Sequence, residues 1–187
     1  MWIIWSERQK KLLTTNEVIM SLGTTKDSPK WLSIHHGKVE LSDNGKKQLF
    51  DYVEGRLTCI YSKERNYNGE SVLKWFINLQ DDEGNRYSIS FPYQSGTFKS
   101  IILALASATA LTASTSIKID PYQKGEYTNV VVYADGAKLD WVVRQLPPVE
   151  YVTLNGQRVK DESKRMQLIS SLVATINQRA RTEDDKW

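Results

Sequence analysis

The chain has 187 residues, 40% hydrophobic and 25% charged, with a net charge of +3 at neutral pH. That length suits one domain with a sizeable core and leaves little room for a second. No apolar run approaches the roughly 20 residues that span a bilayer, which argues against a membrane-spanning segment. The single cysteine, Cys59, rules out an internal disulfide, and His35 and His36 are the only histidines, so an ordinary Cys/His zinc site is excluded. Neither a metal nor another cofactor is implied.

The opening "MWIIWSERQKKLL" places its charges after a short apolar patch, the reverse of a secretory signal, and predicts a cytoplasmic protein. Residues 1–23 carry a weakly amphipathic helical pattern with cap residues in "TTNE", and "GTTKDSP" breaks it. "KWLSIHHGKVEL" predicts a short hairpin turning near His36 and Gly37, and "SDNGKK" a turn. Residues 1–54 are thus read as an N-terminal extension, helix and short hairpin, packed on the main body.

From Gly55 the alternation sharpens. "GRLTCIYSK", "SVLKWFINLQ" and "NRYSISFPY" are three β-like runs, and "TSIKID" and "NVVVYA" are two more after an interruption. The interruption, "GTFKSIILALASATALTA", has Phe98, Ile101, Ile102, Leu105 and Ala108 at helical spacing, with Thr97 placed to cap. Residues 144–181 read as a linker, "QLPPVEY", and a helix whose Met166, Ile169, Leu172, Val173 and Ile176 form an apolar stripe. That stripe suits the chain's own core or a second copy, which leaves homo-oligomers open. Residues 182–187 are a short acidic tail.

Side chains of a strand alternate between two faces. Leu73, Trp75, Ile77 and Leu79 are therefore expected inside, with Lys74, Phe76 and Asn78 outside. In the next run Tyr87, Ile89 and Phe91 oppose Arg86, Ser88 and Ser90. Two segments read as loops flank that outer face. "YSKERNYNGES" carries Tyr61, Lys63, Arg65 and Tyr67, and "DPYQKGEYTN" carries Tyr122, Lys124 and Tyr127. Cations meet phosphates and flat rings accept any base, so cations interleaved with aromatics suit sequence-tolerant binding of single strands.

Catalytic patterns are missing. There is no Walker-type phosphate loop and no dinucleotide fingerprint. "DDEG", Asp81 to Gly84, reads as a solvated turn without the spacing of a calcium loop, and Cys59 reads as a small buried residue. A non-enzymatic protein is expected.

Three strands, one helix and two strands over residues 55–143, with those two loops, resemble the OB-fold single-stranded DNA-binding proteins, particularly the small ones encoded by bacteriophages. The resemblance lies in element order and site character, not in a signature motif. It implies a mainly β fold with added helices (α+β), built on a five-stranded barrel with a helix between strands three and four. It also implies binding of single-stranded DNA in replication, recombination or repair, in the host cytoplasm if phage-encoded. The end, "RTEDDKW", with Glu183, Asp184, Asp185 and Trp187, is similar in kind to the acidic, aromatic-tipped tails by which such proteins recruit replication and recombination partners, although Lys186 interrupts it. The same residues leave two other readings open. One is an assembly module, such as a virion or adaptor protein, that uses the barrel for protein contacts; the other is an RNA-binding OB protein.

Overall fold

Alternating runs joined by glycine-containing pairs favour antiparallel strands, and strands dominate here. The computed structural model of the chain describes residues 28–43 and 45–181. The expected N-terminal helix and the tail residues Glu183, Asp184, Asp185 and Trp187 lie outside the described residues. In chain order the elements are β1 (Lys30–His35), β2 (Lys38–Asp43), β3 (Lys46–Phe50), β4 (Val53–Tyr67), β5 (Glu70–Gln80), β6 (Arg86–Pro92), α1 (Gly96–Ser107), β7 (Ser116–Lys124), β8 (Tyr127–Ala134), β9 (Ala137–Lys138), β10 (Glu150–Leu154), β11 (Gln157–Asp161) and α2 (Ser163–Ala180). The class is α+β and mainly β, and the one helix between the third and fourth strands after Gly55 is where the pattern put it.

Among the described residues nine strands form one sheet in the order β3-β2-β1-β6-β5-β4-β7-β8-β9, and β10 and β11 pair separately. The five expected strands are consecutive neighbours in it, β6-β5-β4-β7-β8, but β6 and β8 do not pair, so they do not close a five-stranded barrel by themselves. Their neighbour comes from the segment read as an extension. β1 runs parallel to β6, from Lys30 opposite Tyr87 to Leu32 opposite Ile89. The β1–β2 turn then reaches the far side of the sheet, where the Gly37 N–H donates to Thr128 Oγ1 at 3.3 Å. Gly37 has φ +71°, and a Cβ there would lie 2.4 Å from the backbone nitrogen of Gln123. Only glycine allows that approach, by which the sheet curls back on itself.

Three further expectations need correction. The two "loops" are strand: β4 continues to Tyr67 and β5 starts at Glu70, around a turn with Asn68 and Gly69 at φ 51° and 85°. Two consecutive left-handed residues make the tight turn whose twist matches the strands, so the ladder runs to the tip. β7 and β8 likewise run to Lys124 and from Tyr127. Second, α1 is capped by Ser95, whose side chain accepts the Phe98 N–H at 3.2 Å, and it ends at Ser107; Thr97 instead donates to the Thr128 carbonyl. Third, the stretch read as linker contains the β10–β11 hairpin, turning at Asn155 and Gly156 with φ 51° and 78°.

The core lies between the inner sheet face and the helices α1 and α2. Trp75 stacks on Phe98 of α1 at 4.9 Å, and Ile77, Leu79, Ile89, Ile117 and Ile119 are fully buried. The stripe of α2 is buried at Met166, Ile169, Val173 and Ile176. Two polar anchors fix α2. Arg179 donates to the carbonyls of Ala106 and Ala108 at the end of α1, where a cation also complements the helix dipole. Asn177 meets β4 beyond Arg56, where its pairing with β7 stops. Its Oδ1 accepts the Ile60 N–H at 2.8 Å and its Nδ2 donates to the Ile60 carbonyl at 2.7 Å, so a side-chain amide replaces a neighbouring strand. Asn177→Ala leaves both groups unpaired and is expected to cost about 1–3 kcal/mol for each, read as a lower denaturant midpoint. Unchanged stability would mean that water replaces the amide.

Candidate nucleic-acid interface

Ladder register decides which side chains share a face. Tyr61 pairs with Phe76, Lys63 with Lys74 and Arg65 with Val72 between β4 and β5, and Gln80 pairs with both Arg56 and Arg86. From Arg56 the register continues through Ser116 to Lys118, Tyr122 and Lys124 on β7, with Tyr127 opposite Lys124. Tyr61, Lys63, Arg65, Tyr67, Lys74, Phe76, Arg86, Tyr122, Lys124 and Tyr127 therefore all belong to the outer face of one curled sheet. Glu64 belongs to the other face, where it accepts from Ser71 Oγ at 3.1 Å.

The centre of the face differs from expectation. Phe76, expected as an open ring, is only 2% exposed. It stacks on Tyr61 at 5.1 Å and takes the edge of Trp31 at 5.9 Å, with the Arg65 guanidinium 5.5 Å from both the Trp31 and Phe76 rings. Trp31 is on β1 and Phe76 on β5, so the two rings meet above β6. They can do so because β6 presents the small side chains of Ser88 and Ser90 between them. Phe76 is thus the floor of a platform whose open ring is Trp31, 44% exposed. Trp31 was missed because its segment was read as an extension; the alternation of "KWLSIH", which sets Trp31 opposite Leu32, was the available signal.

The remaining rings are open. Tyr67 near one hairpin tip is 66% exposed, Tyr127 near the other is 76%, and Tyr122 is 44%. Among the described residues Lys63, Arg65, Lys74, Arg86 and Lys124 make no ion pair, whereas Arg56 lies 3.9 Å from Asp82 and Lys118 lies 3.9 Å from Asp120. Five uncompensated cations interleaved with exposed rings can hold a polyanion that also carries flat groups.

No family model, curated protein or solved structure matches this chain. The chemistry of the face therefore rests on its own geometry.

Other polar groups have local duties. Asp81 accepts the Asn85 N–H at 2.8 Å, the Asn85 side chain at 2.9 Å and the Tyr87 hydroxyl at 2.9 Å. Burial works to raise its pKa, but those hydrogen bonds outweigh it and hold the carboxylate below its ordinary range. Burial, followed by the Asp81 carboxylate, pushes the Tyr87 phenol up. The "DDEG" carboxylates thus build a turn, and no group of three or more metal-binding side chains occurs among the described residues. Cys59 is half-buried on the outer face, not fully buried as expected, and accepts a hydrogen bond from Asn78 Nδ2 at 3.3 Å. No described helix is long and apolar enough to cross a membrane.

Proposed function

We propose that this protein is a non-enzymatic, OB-type single-stranded DNA-binding protein acting in DNA replication, recombination or repair. The observation that carries this reading is the gathering of five cations without ion pairs among the described residues, and of the exposed rings Trp31, Tyr67, Tyr122 and Tyr127, on one sheet face. Lys63, Arg65, Lys74, Arg86 and Lys124 capture phosphates, and bases then stack on Trp31 and the tyrosines of the two hairpin arms, with Tyr61 stacked on Phe76 beside them. The strand order β6-β5-β4-β7-β8 with a helix before β7 supports an OB-type origin, with β1 and its turn occupying the gap between β6 and β8.

The test is a titration of the full chain with oligo(dT) at several salt concentrations, followed by tryptophan quenching. If all five cations meet phosphates, log K falls linearly with log salt with a slope of up to about 3.5, at roughly 0.7 per contact on single strands. Replacing Lys63 and Lys74 by alanine together should reduce that slope by up to about 1.4. A matched RNA oligonucleotide that binds tighter would transfer the site to RNA. Absence of binding at low salt, with self-association indifferent to salt, would favour an assembly module.

A further inference from the structure

We propose that the groove between Tyr122 and Trp141 takes one base of the bound strand, and that Asp140 in it favours a base bearing an exocyclic amine. This deepens the single-strand reading of the face and rests on it. The groove holds about 320 Å³, the lower end of the range for small-ligand sites, and is lined by Tyr122, Asn129, Lys138, Leu139, Asp140 and Trp141. Trp141 is 51% exposed, so both flanking rings are half open.

The site is held firmly for a loop. The Leu139 N–H donates to the Val132 carbonyl and the Val142 N–H to the Leu103 carbonyl, both at 2.9 Å. Asp140 and Trp141 are thereby pinned between β8 and α1. Strand pairing leaves the space: β9 covers β8 only at Tyr133 and Ala134, so among the described residues the edge at Asn129 to Val131 has no strand beside it. Lys138, without an ion pair among the described residues, offers a phosphate contact.

The groove is continuous with the face. Tyr122 belongs to both, and its backbone lies against the β1–β2 turn at Gly37. From Trp31 to His35, β1 spans about 13 Å in the same direction. A strand lying on the platform and following β1 arrives at Tyr122. Polar groups at the groove then meet the base edge. An ionised carboxylate only accepts hydrogen bonds, so Asp140 suits the exocyclic amine of cytosine or adenine, whereas thymine presents only its N3–H, flanked by two carbonyl oxygens that repel the carboxylate.

The experiment compares oligo(dC) and oligo(dT) of equal length at slightly alkaline pH, using the full-length wild type, Trp141→Ala, Trp141→Phe and Asp140→Asn. The wild type is expected to prefer oligo(dC) by about threefold or more, and Trp141→Ala to weaken both oligonucleotides by at least about fivefold, with Trp141→Phe largely restored. Asp140→Asn should abolish the preference without weakening oligo(dT). Wild-type affinity in Trp141→Ala, or a preference that survives Asp140→Asn, overturns the groove and leaves the face standing. A wild type that binds neither oligonucleotide overturns both.

Discussion

Glu162→Ala is expected to lower the unfolding free energy by about 3–5 kcal/mol near neutral pH. Glu162 sits just before α2 and is buried together with Lys99 of α1, and its carboxylate accepts from both Lys99 and Lys160. One residue thus ties together the two helices and the β10–β11 hairpin, and its removal strands the Lys99 ammonium in the core. Burial pushes the Glu162 pKa up, but the hydrogen bonds from Lys160 and Lys99 outweigh it and hold the group below the ordinary glutamate range. A lowered folded-state pKa contributes stability that is present above the unfolded-state value and is lost as pH falls through the folded one. The gap between wild type and Glu162→Ala should therefore narrow in acid, as read from urea midpoints at neutral pH and below pH 4.5. The double variant Lys99→Met, Glu162→Leu should recover most of the loss, because it leaves no unpaired charge in the core and Lys160 is exposed. A pH-independent gap would show that the carboxylate's charge is not what matters.

Trp31→Ala is expected to weaken single-strand binding by about 1–3 kcal/mol while leaving the fold largely intact. Phe76→Ala should behave in the opposite way. A buried ring between Tyr61, Trp31 and Arg65 is worth about 3–5 kcal/mol of stability, and any change in affinity would follow from the collapse of the platform above it. The pair separates a contact from its support. Measured together by denaturation and by oligonucleotide titration, equal loss of affinity at unchanged stability in both variants would show that Phe76 itself meets the strand.

The sequence reading found the outer face by register alone, because period-two alternation in β5 and β6 is strict: Lys74, Phe76 and Arg86 share that face as predicted. It missed what covers Phe76, because burial depends on a strand 45 residues away in sequence and no local pattern reports a pairing between β1 and β6. The arms do carry a local signal. Asn68-Gly69 and Asn155-Gly156 each lie between alternating segments, the strongest short hairpin signal available, whereas their polar composition alone reads as loop and linker. Element order suggests a five-stranded barrel, but order does not specify which edge meets which; Gly37, the residue that permits the curl, looks in sequence like any turn glycine. Trp141 and the groove were equally out of reach, since β8, α1 and residues 138–141 come together only in the folded chain.

Nucleic acid is expected on this outer face of the sheet. Ultraviolet crosslinking of the full chain to oligo(dT), followed by mass spectrometry of the linked peptides, addresses it directly. Crosslinks are expected at Trp31, Tyr67, Tyr122 and Tyr127, diminished by added salt; crosslinks confined to α2 and the β10–β11 hairpin would place nucleic acid elsewhere.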